Sequence, residues 1–134
     1  MGRKRNRVIL NATIGEMAAE GKCVYKEDKK VVFVPHAAPG DVADLRVVRK
    51  KKSFEEAVIQ TLHSPSPLRL TPFCDAFGLC GGCKWQHVSY AQQIEAKAQQ
   101  IKDAFTRIGK VKLPTISPIL GSEKTTYYLS LIHI

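Results

Sequence analysis

With 134 residues the chain has room for one ordinary domain or two small modules, because domains cluster near roughly 100 to 150 residues, so a large catalytic fold is not expected to be complete within it. Apolar residues make up 44% and charged residues 25%, a globular rather than disordered balance, and no apolar run approaches the ~20 residues of a membrane span. Lys and Arg outnumber Asp and Glu by 21 to 12, a net charge of +9 that favours a polyanionic partner, nucleic acid first, through counterion release. The plainer reading is a surface kept soluble by lysine, so the position of the charges has to decide.

The first residues, Met1-Gly2-Arg3-Lys4-Arg5-Asn6-Arg7, start like a signal-peptide n-region, but Val8-Ile9-Leu10-Asn11-Ala12-Thr13 is too short and polar for the apolar core of one. Secretion and a membrane partner are therefore not expected, and a cytoplasmic monomer is. From Arg7 to His63, short strands broken by turn signals predict a small all-β barrel or sandwich. Val8 to Ile14 is the first strand. Gly21 to Tyr25 and Val31 to Val34 form a hairpin across the polar turn Lys26-Glu27-Asp28-Lys29-Lys30. After the loop Pro35-His36-Ala37-Ala38-Pro39-Gly40, residues Asp41 to Arg49 alternate Ala43, Leu45 and Val47 with Asp44 and Arg46, the period of a half-buried strand. Phe54 to Leu62 is the last strand, although Glu55-Glu56-Ala57 would equally suit the start of a helix.

Between those two strands lies Arg49-Lys50-Lys51-Lys52, with Arg46 nearby and the basic N-terminal arm able to add charge. Clustered cations of this kind suit a phosphate-facing rim, so Arg46, Arg49, Lys50, Lys51 and Lys52 are the candidate nucleic-acid contacts. A solvated hairpin tip would also be Lys-rich, since edges use charge against aggregation. Ser64-Pro65-Ser66-Pro67 reads as a stiff linker that ends the β module. Further on, Ser89-Tyr90-Ala91-Gln92 has the form of a capping box. It opens a helix whose Ile94, Ala98, Ile101, Phe105 and Ile108 form an apolar stripe expected in the core, and Gly109 is placed to end it.

The residues suited to chemistry lie in Pro72 to His87, where Cys74, Cys80 and Cys83 have the spacing C-x5-C-G-G-C. Three of the four cysteines fall within ten residues, with no signal sequence, which predicts reduced metal ligands rather than a disulfide framework. The glycines let the backbone curl round a bulky centre and aim its N–H groups at the sulfurs, which suits an iron-sulfur cluster. Zinc is the alternative, since His87 follows Cys83 at a distance that would complete a Cys3His tetrahedron. Cys23, in an apolar strand, reads as a core residue, and lone His36 and His63 as structural.

These words resemble a known family, the bacterial 23S ribosomal RNA (uracil-5-)-methyltransferases that carry a TRAM domain and a [4Fe-4S] cluster. The likeness rests on Val32-Phe33-Val34-Pro35 with Pro39-Gly40-Asp41, on the string C-x5-C-G-G-C-x-x-Q-H ending in Trp85-Gln86-His87, and on Tyr90 onward; it covers residues 7 to 128. The resemblance implies a mainly β fold followed by α, with an OB-like TRAM barrel that binds ribosomal RNA over residues 1–63. A linker and cluster motif over 64–88, an amphipathic helix over 89–110 and the start of a central domain over 111–128 would follow. It implies that Cys74, Cys80 and Cys83 supply three ligands of a [4Fe-4S] cluster, the fourth being a downstream cysteine that this sequence lacks. It also implies a Rossmann-like domain that binds S-adenosylmethionine, which does not occur in this sequence, so the chain alone is expected to be inactive and no catalytic residue is assigned. After Gly121 to Tyr128 the family continues with an Arg-Asn-Lys word, whereas here Leu129-Ser130-Leu131-Ile132-His133-Ile134 follows and reads as a foreign tail.

Overall fold

The structure is a computed structural model that describes residues 7–127; the N-terminal arm before Arg7 and the unusual tail 129–134 lie outside the described residues. Two compact units form, divided between Ser89 and Tyr90. The first is built on a five-stranded mixed sheet of β1 (Val8–Thr13), β2 (Lys22–Glu27), β3 (Lys30–Pro35), β4 (Val42–Lys50) and β5 (Phe54–Ser64) in the order β1-β4-β5-β3-β2. Only β3 and β5 run parallel; the other neighbours are antiparallel.

The sheet curls because β1 contributes to both of its ends. A break in register between Ile9 and Ala12, where Asn11 adopts a positive φ of 50°, bends the strand. The residues after it then pair with β2: the Gly15 N–H donates to the Val24 carbonyl at 2.8 Å and the Val24 N–H to the Glu16 carbonyl at 3.0 Å. The result is barrel-like. Its interior holds Ile9, Ala12, Ile14, Cys23, Val32, Val34, Ala43, Leu45, Val47 and Ala57, all at most 6% exposed. Ala43, Leu45 and Val47 are the inward set that the alternation predicts. The β2–β3 turn is tighter than expected, with only Asp28 and Lys29 outside the strands. Glu55-Glu56-Ala57 is strand, because Glu55 and Ala57 point inward while Phe54 and Glu56 face outward.

Residues 65–89 belong to the same unit, and the Pro-Ser-Pro segment is not a free linker. Ser66 is 5% exposed, with its N–H donating to Asp41 Oδ1 at 2.8 Å and its hydroxyl to the Pro39 carbonyl. The cysteine loop closes at its base through a bridge between Arg69 and Val88, with the Leu70 N–H on the His87 carbonyl at 2.9 Å. Gly21, at φ 71°, lies against this loop. A Cβ there would stand 2.6 Å from Lys84 Cβ, so a glycine is needed where the backbones approach.

The second unit begins with α1 (Tyr90–Asp103), directly after Ser89 as the capping pattern predicts. The helix widens into one π turn over Ala104–Ile108, where the Gly109 N–H reaches back five residues to the Ala104 carbonyl. The left-handed residue that ends it is Lys110, at φ 51°, rather than Gly109. The apolar stripe departs from expectation, since no residue of α1 is buried and Ile101, Phe105 and Ile108 are 43%, 50% and 84% exposed. A helix buries its stripe only against another element, and among the described residues of this unit the chain after the helix forms none. It supplies only a partial cover, with Ile116 to Ile119 beside Ala98 and Ile101, and Gly121 against Ile94.

Candidate nucleic-acid interface and cysteine loop

The β4–β5 turn is closed by the Lys51 N–H on the Phe54 carbonyl at 2.8 Å, and it leaves Arg49, Lys50, Lys51 and Lys52 exposed together at one tip. Arg46 is exposed further down β4, paired with Val8 on one side and Val58 on the other. Glu55 organises these charges. Only 1% exposed, it lies within 3.1 Å of Arg7 Nη1, 3.4 Å of Lys30 Nζ and 3.9 Å of Lys50 Nζ. Arg7 also pairs with Glu27. Arg49 Nη1 lies 3.8 Å from Glu56 Oε2, and Lys51 Nζ sits 5.3 Å from the centre of the Phe54 ring. The Arg49–Glu56 pair is solvent-accessible and of a kind worth about 0–1 kcal/mol, so Arg49 can turn to a phosphate at little cost, whereas Glu55 is buried and holds its cations more firmly. Glu55 carried no motif, but its inward place in a period-2 strand was a sign that a carboxylate would need cations beside it.

A second buried carboxylate holds the cysteine loop. Asp41, fully buried, accepts from the Ala38 and Ser66 N–H groups at 2.7 and 2.8 Å and from two nitrogens of Arg69 at 2.7–3.1 Å. Arg69 also donates to the His36 carbonyl at 2.9 Å. Burial raises the Asp41 pKa, but the bonds from Arg69, Ala38 and Ser66 outweigh it and hold the carboxyl below its ordinary value. His87 makes the other attachment. Its Nε2 lies 2.8 Å from the Ala37 carbonyl, which can only accept, so the proton sits on Nε2. Its ring packs against Phe77 and His36, and burial lowers its pKa.

The metal-ligand candidates are placed less favourably. Cys74 is half-buried, and Cys80 and Cys83 are exposed. The Cys74 N–H donates to Gln86 Oε1 at 3.3 Å, and the Gly82 N–H points at Cys80 Sγ at 3.4 Å, the kind of bond that steadies a thiolate. Yet among the described residues no three Cys, His, Asp or Glu side chains are gathered as a metal site. The donor set is therefore of the right chemical type for three corners of a cluster, while the sulfurs are not drawn together. The Cys3His arrangement is not assembled among the described residues either, although the His87 contact with the barrel uses Nε2 and leaves Nδ1 without a hydrogen-bond partner. Cys23 is a core residue as expected: its Sγ donates to the Ala37 carbonyl at 3.1 Å, and burial, with the Asp41 charge adding, pushes its thiol up to about 12. His63 pairs with Asp44 at 2.9 Å and is structural.

Comparison with known proteins gives a consistent set of relatives. No family model matches the chain. The chain is 53% identical over 112 residues to a protein named as an uncharacterized RNA methyltransferase in Bacteroides thetaiotaomicron, an alignment covering 84% of this chain and 25% of that protein. It is 51% identical over 115 residues to a protein of the same name in Porphyromonas gingivalis, covering 86% of this chain and 25% of the relative. A solved structure, the Pyrococcus abyssi tRNA (uracil-54, C5)-methyltransferase in complex with S-adenosyl-L-homocysteine, matches with a TM-score of 0.43 at 25% identity, over 80% of this chain and 23% of that one. The chain is thus homologous over most of its length to proteins named RNA methyltransferases, and it spans about a quarter of theirs. No helix among the described residues is long and apolar enough to cross a membrane.

Proposed function

We propose that this chain is the RNA-gripping, N-terminal part of an S-adenosylmethionine-dependent methyltransferase that forms 5-methyluridine in 23S ribosomal RNA. The observation that carries the reading is the homology at 53% identity to an RNA methyltransferase of about four times the matched length. The uracil-5 and ribosomal specificity rests on the likeness of the string Cys74 to His87 to that family. In this reading residues 7–63 are an OB-like TRAM barrel, whose strand order and curl suit a five-stranded Greek-key barrel of the kind that binds oligonucleotides.

Arg46, Arg49, Lys50, Lys51 and Lys52 face RNA phosphates. Cys74, Cys80 and Cys83 would hold an iron-sulfur cluster at the end of a loop that Asp41 and His87 fix to the barrel. The cluster would brace the loop, its fourth corner coming from outside this chain's motif. The experiment is direct. Binding of the chain to single-stranded RNA should weaken linearly in log affinity against log salt with a slope reporting several phosphates; RNA binding that is absent at low salt would contradict the reading.

A further inference from the structure

The barrel carries an aromatic feature that its core does not require. Phe33 on β3 and Phe54 on β5 both lie on the outer face, since their neighbours Val32, Val34 and Ala57 fill the interior with no exposed surface. The parallel register sets Val31 beside Phe54 and Phe33 beside Glu56, so the two rings meet edge to face with centres 5.5 Å apart. Beside them opens a cavity of about 360 Å³, lined by Ala19, Glu20, Lys22, Phe33, Phe54 and Glu56. That volume lies in the range of small-ligand sites. Its rim is shared with the basic tip: Lys51 sits over the Phe54 ring and Arg49 reaches Glu56.

The carboxylates in the cavity are already matched by cations. Lys22 Nζ lies 3.2 Å from Glu20 and 3.3 Å from Glu56, and Arg49 stands on the far side of Glu56. A phosphate-bearing strand is therefore not repelled, and the carboxylate oxygens are left to accept from the imino or amino N–H groups on the edge of a base. Partly exposed rings, neutralised acceptors and a phosphate-seeking rim that reaches the Phe54 ring through Lys51 together describe a nucleotide site rather than a phosphate site alone.

We propose that the Phe33–Phe54 pair is a stacking platform that receives one unpaired RNA base while Arg49, Lys50, Lys51 and Lys52 hold the adjoining phosphates. The proposal rests on the reading that the barrel binds RNA. It adds a contribution from the bases themselves, tolerant of sequence because every base has a π face.

The test compares two ligands on the full chain: a single-stranded RNA of about a dozen nucleotides, within the usual site size of such barrels, and a ribose-phosphate oligomer of equal length without bases. Binding is followed by fluorescence anisotropy. The RNA should bind about tenfold more tightly than the abasic strand. Phe54→Leu and Phe33→Leu, which keep apolar bulk but remove the ring, should bring that ratio towards one and leave the salt slope unchanged. Equal affinity of the unaltered chain for the two strands would overturn the platform while leaving phosphate binding intact. A ratio that persists in Phe54→Leu would overturn it as well, and failure to bind either strand would overturn both readings. The comparison on the unaltered chain needs no substitution, so it decides the matter even if Phe33→Leu unfolds the barrel.

Discussion

Asp41 shows what a single residue can do here and how little of it is visible in sequence. Its acidity is apparent, but its partner Arg69 stands 28 residues away beyond two prolines, and a long-range pair leaves no local pattern. Cys23 was legible for the opposite reason, since a lone thiol in an apolar strand has few fates besides burial. Asp41→Asn should destabilise the chain strongly, because it strips the charge from a buried partner of Arg69. Breaking a buried pair costs about 3–5 kcal/mol, and the lower end is expected because Arg69 remains about a fifth exposed. Urea denaturation at neutral pH measures it. The carboxyl is held below its ordinary value, so its stabilisation is present above about pH 4, the unfolded range, and is lost as pH falls through the lower folded value. The gap between the native chain and the variant should accordingly narrow in acid, and a gap independent of pH would show that Asp41 acts through packing alone.

Strands and helix were legible as elements because their periods and punctuation are local, whereas their surroundings were not. The alternation of Ala43, Leu45 and Val47 set the inward face of β4 correctly. The same kind of reasoning expected the stripe from Ile94 to Ile108 to be covered, but periodicity identifies an apolar face without identifying what covers it. At the basic tip, Arg49 and Lys50 share carboxylates while Lys51 rests on a ring, so phosphate binding must compete with these contacts. Replacing Lys50, Lys51 and Lys52 with Ala should lower the salt slope of RNA binding by up to about two units, at roughly 0.7 for each phosphate on a single strand. An unchanged slope would reduce the tip to a solvated turn. For the cysteine loop, spacing revealed a shared chemistry but not the sulfur positions, which depend on what the loop encloses. Anaerobic reconstitution with iron and sulfide should load acid-labile sulfide that is lost in Cys80→Ser. Stoichiometric zinc without labile sulfide would instead favour the Cys3His arrangement, with His87 offering Nδ1 while its Nε2 stays on the Ala37 carbonyl.

On the scale of the molecule, a barrel-like unit and a short helical unit amount to about a quarter of the relatives' length. Methyl transfer to uracil C5 needs a nucleophile at C6, a base for the C5 proton and a pocket that holds the methyl donor beside them. Cys23, with a thiol raised to about 12 and wholly inside the barrel, cannot serve as that nucleophile. On the proposed reading this chain supplies grip, and the part of its relatives that it does not match supplies the chemistry. A chimera tests this most directly: the matching quarter of the Bacteroides thetaiotaomicron relative is replaced by residues 7–127 and incubated with radiolabelled S-adenosylmethionine and unmodified ribosomal RNA. Label is expected at C5 of a uracil in 23S RNA, and none with residues 7–127 alone. A folded chimera that leaves the RNA unlabelled while the intact relative labels it would show that this chain does not serve as the grip of such an enzyme.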